Sequence, residues 1–332
     1  MNPLLNVSQL TVRYRGSNGP ITAVQDVSFS VYPNEIVGFV GESGSGKSTV
    51  AQAILRLHPS ESVEVTGDVR FQDTNLLTVK AEALRQRRWT QIAMVSQSSM
   101  NALNPLRTIE QHFNDVWIAH PSQSPRDRHT RNVELLAMVN LDALVLQKYP
   151  HQLSGGMRQR IAIALAMMFH PPFMIMDEPT TALDVLVERD ILARIQALQQ
   201  DNHLSILFIT HDLHVIFKLA HRLLIMYAGE IVESGPVADI QRCAYHPYSQ
   251  GLRRSFLSID MPRVRRQGIP GWSPDSKQQH SGCRFAPRCA YAQDQCLTVA
   301  PSFEWIDDAQ THGVRCHYWR EIVPLILWSC VW

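Results

Sequence analysis

One sixteen-residue stretch constrains this chain more than any other: EIVGFVGESGSGKSTV, Glu35 to Val50. Glu35 to Val40 is an apolar run rich in β-branched residues, which predicts a short buried strand. Gly41-x-x-x-x-Gly46-Lys47-Ser48 follows at once and fits the phosphate-binding loop pattern. A helical pattern, STVAQAILRL, comes next. Strand, loop and helix in that order make an α/β unit that binds a polyphosphate. Glycines such as Gly41, Gly44 and Gly46 let successive backbone N–H groups turn inward, and the helix start adds partial positive charge. Lys47 is the expected counter-charge to the β and γ phosphates, and the Ser48 hydroxyl the expected Mg²⁺ ligand. Ser43 and Thr49 belong to the same nucleotide-binding set.

Composition sets limits around that loop. The chain has 332 residues, 45% hydrophobic and 18% charged, enough for a large domain with a smaller one attached. A net charge of +1 gives no global field to attract nucleic acid. The basic runs at Arg85–Arg88 and Arg263–Arg266 read as solvated faces. The opening MNPLLNVSQL lacks the basic and apolar regions of a signal peptide. No run of about 18 apolar residues is present to span a bilayer. These features predict a cytosolic chain with reduced thiols.

A second stretch, YPHQLSGGMRQRIAIALAMMFHPPFMIMDEPTTALD, makes a resemblance specific. Leu153 to Met157 is similar to the signature motif of ABC ATPases, with Met157 where Gln is usual. Phe173 to Asp177 resembles the Walker B strand, Glu178 follows it, and Ala182-Leu183-Asp184 resembles the D-loop. Gln97, ending the strand pattern IAMVSQ, resembles the Q-loop glutamine; His211, after SILFIT, resembles the switch histidine. Tyr14 resembles the aromatic that stacks on adenine, the plain alternative being a half-buried strand residue. The resemblance implies a role for each. Asp177 holds Mg²⁺ through water, with Ser48 and Gln97 beside it. Glu178 polarises the attacking water, which His211 and Gln97 help to place. Ser154, Gly155 and Gly156 bind the γ-phosphate of an opposing subunit's ATP, and Asp184 borders that site.

Three further strings resemble one branch of the family, the ATP-binding subunits of oligopeptide/dipeptide permeases. They are SSMNALNPLRTIEQHF after Gln97, HPYSQGL at His246–Leu252, and the tail IPGWSPDSKQQHSGCRFAPRC. The branch implies an importer for di- or oligopeptides, with nickel or oligosaccharide as alternatives. A soluble ABC ATPase without a membrane partner is the rival from another class. The implied partners are a second ATPase subunit, self or paralogue, two transmembrane permease subunits, and indirectly a solute-binding protein. The implied place is the cytoplasmic face of the membrane, held peripherally. Leu103 and Leu106 are expected to touch the permease.

Four cysteines crowd the C-terminal region in the order Cys283-x5-Cys289-x6-Cys296-x19-Cys316. That spacing fits neither paired zinc ligands nor a ferredoxin run. By itself it says only that four thiols can converge. The resemblance implies a [4Fe-4S] cluster that staples the extension; zinc and plain core packing stay open. Cys243 and Cys330 lie outside the pattern. The end, EIVPLILWSCVW, is more apolar than the branch leads one to expect.

The expected architecture is an α/β P-loop cassette with an antiparallel β subdomain over residues 1–260. A helical subdomain is expected at about 98–170 and a cysteine-bearing extension at 261–332. The extension is expected to stand apart from the phosphate-binding residues.

Overall fold

The computed structural model describes residues 2–16, 19–58, 62–97, 102–123, 125–181, 183–255, 268–272, 274 and 281–322. The division at 261 and the apolar end from 323 onward lie outside the described residues. The chain forms two compact units. One gathers Met1–Leu4, Val31–Glu35 and Thr78–Phe208; the other gathers Leu5–Ser30, Ile36–Leu77 and Ile209–Trp332.

The second of these units carries an antiparallel sheet built from the N-terminal third. Strand β1 (Leu5–Gly16) alternates buried and exposed residues, the period-2 pattern of a half-solvated sheet. It pairs antiparallel with β4 (Val63–Phe71), from Leu5↔Phe71 to Tyr14↔Val63, with a register shift between Ser8 and Thr11. The strand order is β2-β1-β4-β5, with β2 at Gly19–Val31 and β5 at Thr74–Asn75. The expected antiparallel β subdomain is therefore present.

The same unit holds β3 (Ile36–Val40), all five residues buried. A strand buried on both faces reads as a continuous apolar run, which is why IVGFV shows no alternation. It runs parallel to β9 (Arg222–Tyr227), which turns back into β10 (Glu230–Pro236). Ala228 and Gly229 make that turn at φ 47° and 91°. A Cβ on Gly229 would sit 2.9 Å from the Ala23 carbonyl oxygen, so the turn needs glycine twice over. Beyond β10 the sheet takes up two short strands, β12 (Gly313–Val314) and β11 (Glu304–Trp305). The cysteine-bearing region is thus paired, strand to strand, with the sheet that carries β3.

The other unit is mostly helical, with a parallel strand pair. Strands β6 (Ile92–Val95) and β7 (Phe173–Asp177) run parallel, Val95 opposite Met176, and β8 (Ser205–Thr210) neighbours β7. Helices Ile109–Ala119, Arg128–Met138 and Gly155–Ala166 lie between β6 and β7 in sequence. Thr108 starts the first of them with a capping box completed by Gln111. Trp117 and Asn132 join the first two: the indole N–H donates to Asn132 Oδ1 at 2.8 Å, both residues buried. Among the described residues, no helix is long and apolar enough to cross a membrane.

Candidate functional site

The phosphate-binding loop comes off the end of β3. Helix Lys47–Ile54 begins one residue earlier than its pattern predicts, and no side chain caps it. Its capping residue, Gly46, has φ 107° and ψ 0°. A Cβ there would lie 2.6 Å from the Ala23 carbonyl oxygen and 2.8 Å from Met226 Cε, so only glycine fits. Gly44, at φ 79°, has nothing within 4 Å of a built Cβ, and both it and Ser43 are exposed. The crown of the loop at Ser43 and Gly44 is therefore open.

Lys47 is buried, and its ammonium donates to the Gly41 carbonyl at 2.8 Å, the Glu42 carbonyl at 2.9 Å and Ser45 Oγ at 3.2 Å. The loop thus holds its own cation in place. Ser48 and Thr49 follow, half-buried on the first turn of the helix. A buried ammonium, a helix start without a side-chain cap and a hydroxyl beside it form a donor set that fits a triphosphate with Mg²⁺.

Tyr14 sits half-buried near the end of β1. Its ring meets that of His58 edge-on at 5.6 Å, and its hydroxyl lies 3.4 Å from His58 Nδ1. His58, in turn, lies 3.1 Å through Nε2 from the Thr49 carbonyl. His211 directly follows β8 and is exposed.

In the helical unit, the parallel register does the positioning. Val95 faces Met176, so the residues two places beyond each, Gln97 and Glu178, emerge side by side. Gln97 Nε2 donates to Glu178 Oε2 at 2.9 Å, and Thr181 Oγ1 donates to the same oxygen at 2.9 Å. Gln97 lies past the strand rather than at its last position, because β6 ends at Val95. Asp177 ends β7 and is buried, while Glu178 is held at φ 48°, the left-handed region that side chains avoid. The extended backbone of β7 ends at that residue.

Ser154 caps helix Gly155–Ala166, its Oγ accepting from the Met157 N–H at 3.3 Å. Gly156 is buried, and a Cβ on it would lie 2.4 Å from Val187 Cγ1. Its glycine therefore also serves helix packing, while Gly155 stays half-exposed. Asp184 caps helix Val185–Asn202, accepting from the N–H groups of Leu186 at 3.1 Å and Val187 at 2.9 Å. Ala182 of the D-loop lies outside the described residues. So do residues 98–101 of the expected permease contact. In the part described, Leu106 is 84% exposed but Leu103 only 8%. The expectation for Leu103 is corrected by that burial, which leaves little of its side chain to reach a partner.

The cysteines converge. Cys283, Cys289, Cys296 and Cys316 all line one cavity of about 20 Å³, with Phe285, His246 and Tyr318 among its walls. Burial pushes the Cys283 thiol up to about 11 and Cys316 to about 12, and raises Cys289 as well. The described cysteines are free thiols. Among the described residues no group of three or more His, Cys, Asp or Glu is arranged to hold a metal ion. Cys243, set aside on spacing, is buried next to Ile322 in a cluster that includes Cys316 and Tyr318. Cys330 lies outside the described residues.

The expected separation between extension and phosphate loop is also corrected. Arg288 donates through Nη1 to Glu42 Oε2 at 2.8 Å and through Nη2 to Oε1 at 3.0 Å. The Glu42 N–H donates to Tyr248 Oη at 2.9 Å. The HPY string explains itself here too. Buried Glu233 accepts from the N–H groups of Tyr245 and His246, at 2.8 and 2.9 Å, and lies 2.9 Å from His312 Nε2. The one signal in the sequence is on the loop's side, since a glutamate inside an anion-binding loop calls for a cation, without saying which.

Comparison with known proteins bears on the family. Residues 24–181 match the family described as ABC transporter, and residues 232–296 match the oligopeptide/dipeptide transporter C-terminal region. A protein of Brucella abortus, provisionally named a peptide import ATP-binding protein, is 41% identical over 90% of this chain and 91% of its own length. A second protein from the same organism, named alike, is 40% identical over 96% of this chain and 98% of its own. Among solved structures, the dimeric ATP-binding cassette MJ0796, in a post-hydrolysis state with ADP and Pi, matches at TM-score 0.62 and 28% identity. That match covers 70% of this chain and 98% of the cassette. CbiO1 from Clostridium perfringens shares the fold at TM-score 0.60 and 24% identity, over 72% of this chain and 91% of its own. This chain belongs to the ABC transporter family, as an ATP-hydrolysing, ATP-binding subunit of the oligopeptide/dipeptide permease branch.

Proposed function

We propose that the chain hydrolyses ATP to drive import of di- or oligopeptides. The observation that carries this reading is the pairing of an ABC cassette with the C-terminal region of the oligopeptide/dipeptide type in one chain. The names of the Brucella relatives, which match it almost end to end, support the same substrate class.

Bound Mg²⁺ would neutralise the β and γ phosphates, held by Ser48, Asp177 and Gln97. The chain's own residues do the rest. Lys47 and the amides of the Gly41–Gly46 loop bind phosphate. Tyr14 stacks on the adenine. Glu178, already hydrogen-bonded by Gln97 and Thr181, accepts a proton from the attacking water, which His211 also orients. Ser154, Gly155 and Gly156, at the start of one helix, serve the ATP of a second cassette, with Asp184 at the same border. A head-to-tail pair, self or paralogue, works at the cytoplasmic face on two permease subunits fed by a solute-binding protein. Residues 1–260 form the cassette, with its helical subdomain at about 98–170, and 261–332 the extension. The test is ATP turnover by the vesicle-reconstituted importer with its solute-binding protein. Turnover that rises with peptide, and not with nickel or oligosaccharide, is the expected result. The reverse pattern would move the chain to another solute.

The four cavity-lining cysteines are proposed to hold a [4Fe-4S] cluster that supplies a structural staple. The support is their convergence on one cavity, although among the described residues the thiols are not arranged for a metal ion as they stand. Protein purified without oxygen should be brown and carry about four iron atoms per chain. Colourless protein with one zinc, or with none, would overturn the cluster.

A further inference from the structure

A carboxylate in a loop built to attract phosphate is an electrostatic liability. Glu42 is that carboxylate, one residue after Gly41. Its three polar parts are all engaged. The carbonyl accepts from Lys47 Nζ at 2.9 Å and from the Ser45 N–H at 3.2 Å. The N–H is taken by Tyr248, and the side chain by Arg288. Two of the three therefore lead to residues more than 200 positions downstream.

Arg288 is equally committed. Beyond the two bonds to Glu42, Nε donates to the Pro270 carbonyl at 2.7 Å and Nη1 to Tyr227 Oη at 3.3 Å. Its guanidinium lies 5.7 Å from the Tyr227 ring and 5.9 Å from that of Phe285, and the side chain is 7% exposed. Such a fork-to-fork pair fixes direction as well as charge, which lysine cannot do. A neighbouring residue braces the loop from another side. Arg284 pairs with Glu230 at 3.2 Å and donates to the Ala228 carbonyl, in the turn whose Gly229 N–H donates to the Ser45 carbonyl at 2.8 Å.

We propose that Arg288 is a positioning residue for the nucleotide site, neutralising Glu42 and fixing the phosphate-binding loop from the C-terminal region. This goes beyond the role of the loop itself and rests on that loop's binding ATP. Arg288 acts through Glu42, holding that carboxylate in a charge pair rather than leaving it to face the loop's phosphate side. Removing the arginine takes this bidentate counter-charge from a carboxylate one residue beyond the loop's first glycine, and nucleotide affinity falls.

The test is a double-mutant cycle on the full chain, read as affinity for MgATP. Arg288→Ala should weaken binding about tenfold, the scale of a lost hydrogen bond to a charged group. In a Glu42→Gln background the same substitution should cost less than about threefold, since no carboxylate remains to expose. A purely structural arginine would cost the same in both backgrounds, and that outcome overturns the proposal. Should Arg288→Ala fail to fold, Arg288→Lys and Arg288→Gln replace it. Lysine, which keeps the charge, must bind MgATP more tightly than glutamine; equal affinities overturn the proposal as well. Wild-type protein that bound no MgATP would instead refute the reading of the loop.

Discussion

Gln97 Nε2 lies 2.9 Å from Glu178 Oε2, although 81 residues separate them in sequence. The parallel register of β6 and β7 makes the contact, since each residue stands two positions beyond a facing pair. The hydrogen bond ties the residue expected to sense Mg²⁺ to the residue expected to polarise water. Glu178→Gln keeps size and loses the charge. ATP turnover should fall at least about a hundredfold with nucleotide affinity near normal. Turnover within threefold of wild type would remove Glu178 from the role.

Lys47 holds three loop oxygens and is buried, so it shapes the loop before any nucleotide arrives. Lys47→Ala should weaken ATP binding itself, on the order of a hundredfold, because a charged contact and the loop's internal tie both go. Equilibrium binding of ATP checks this; unchanged affinity would contradict it.

Leu103 and Leu106 part ways in the fold. Leu106 is 84% exposed, and its N–H donates to Asn104 Oδ1 at 3.0 Å, in a turn before helix Ile109–Ala119. Leu106→Ser should impair assembly with the permease or transport while leaving thermal stability within about 0.5 kcal/mol. Leu103→Ala should instead cost stability, about 2–3 kcal/mol, as a buried leucine does. Equal stability losses in the two variants would refute the distinction.

His246 sets a pH limit on the C-terminal region. It is buried, its Nδ1 accepts from the Tyr248 N–H at 3.0 Å, and burial lowers its pKa to about 4 against the opposing pull of Glu233. Unfolded, the imidazole titrates near 6.5. Between those values the unfolded chain binds more protons, so stability is present above about 6.5 and is lost as pH falls toward 4, by up to about 3 kcal/mol. His246→Asn should show a smaller loss of urea resistance between pH 7 and pH 5 than wild type. An equal loss would place the acid sensitivity elsewhere.

That the chain binds ATP was legible in local sequence patterns. The loop from Gly41 to Ser48 is a local pattern flanked by a strand and a helix, and the acids at 177 and 178 close an apolar run. Hydrophobic period and glycine placement are legible because they act over a few residues. Tertiary structure alone decided the long-range contacts. Nothing in GCRFAPRC says that Arg288 reaches Glu42, or that four thiols and His246 line one cavity. Leu103 and Leu106 look alike in sequence, yet only Leu106 is exposed. Those outcomes depend on which strands pair and in what register. β12 pairing with β10 brings the cysteine-bearing region onto the sheet of β3, and the ion pair follows from that placement. A charge pair needs geometry across hundreds of residues, and local propensity carries no record of it.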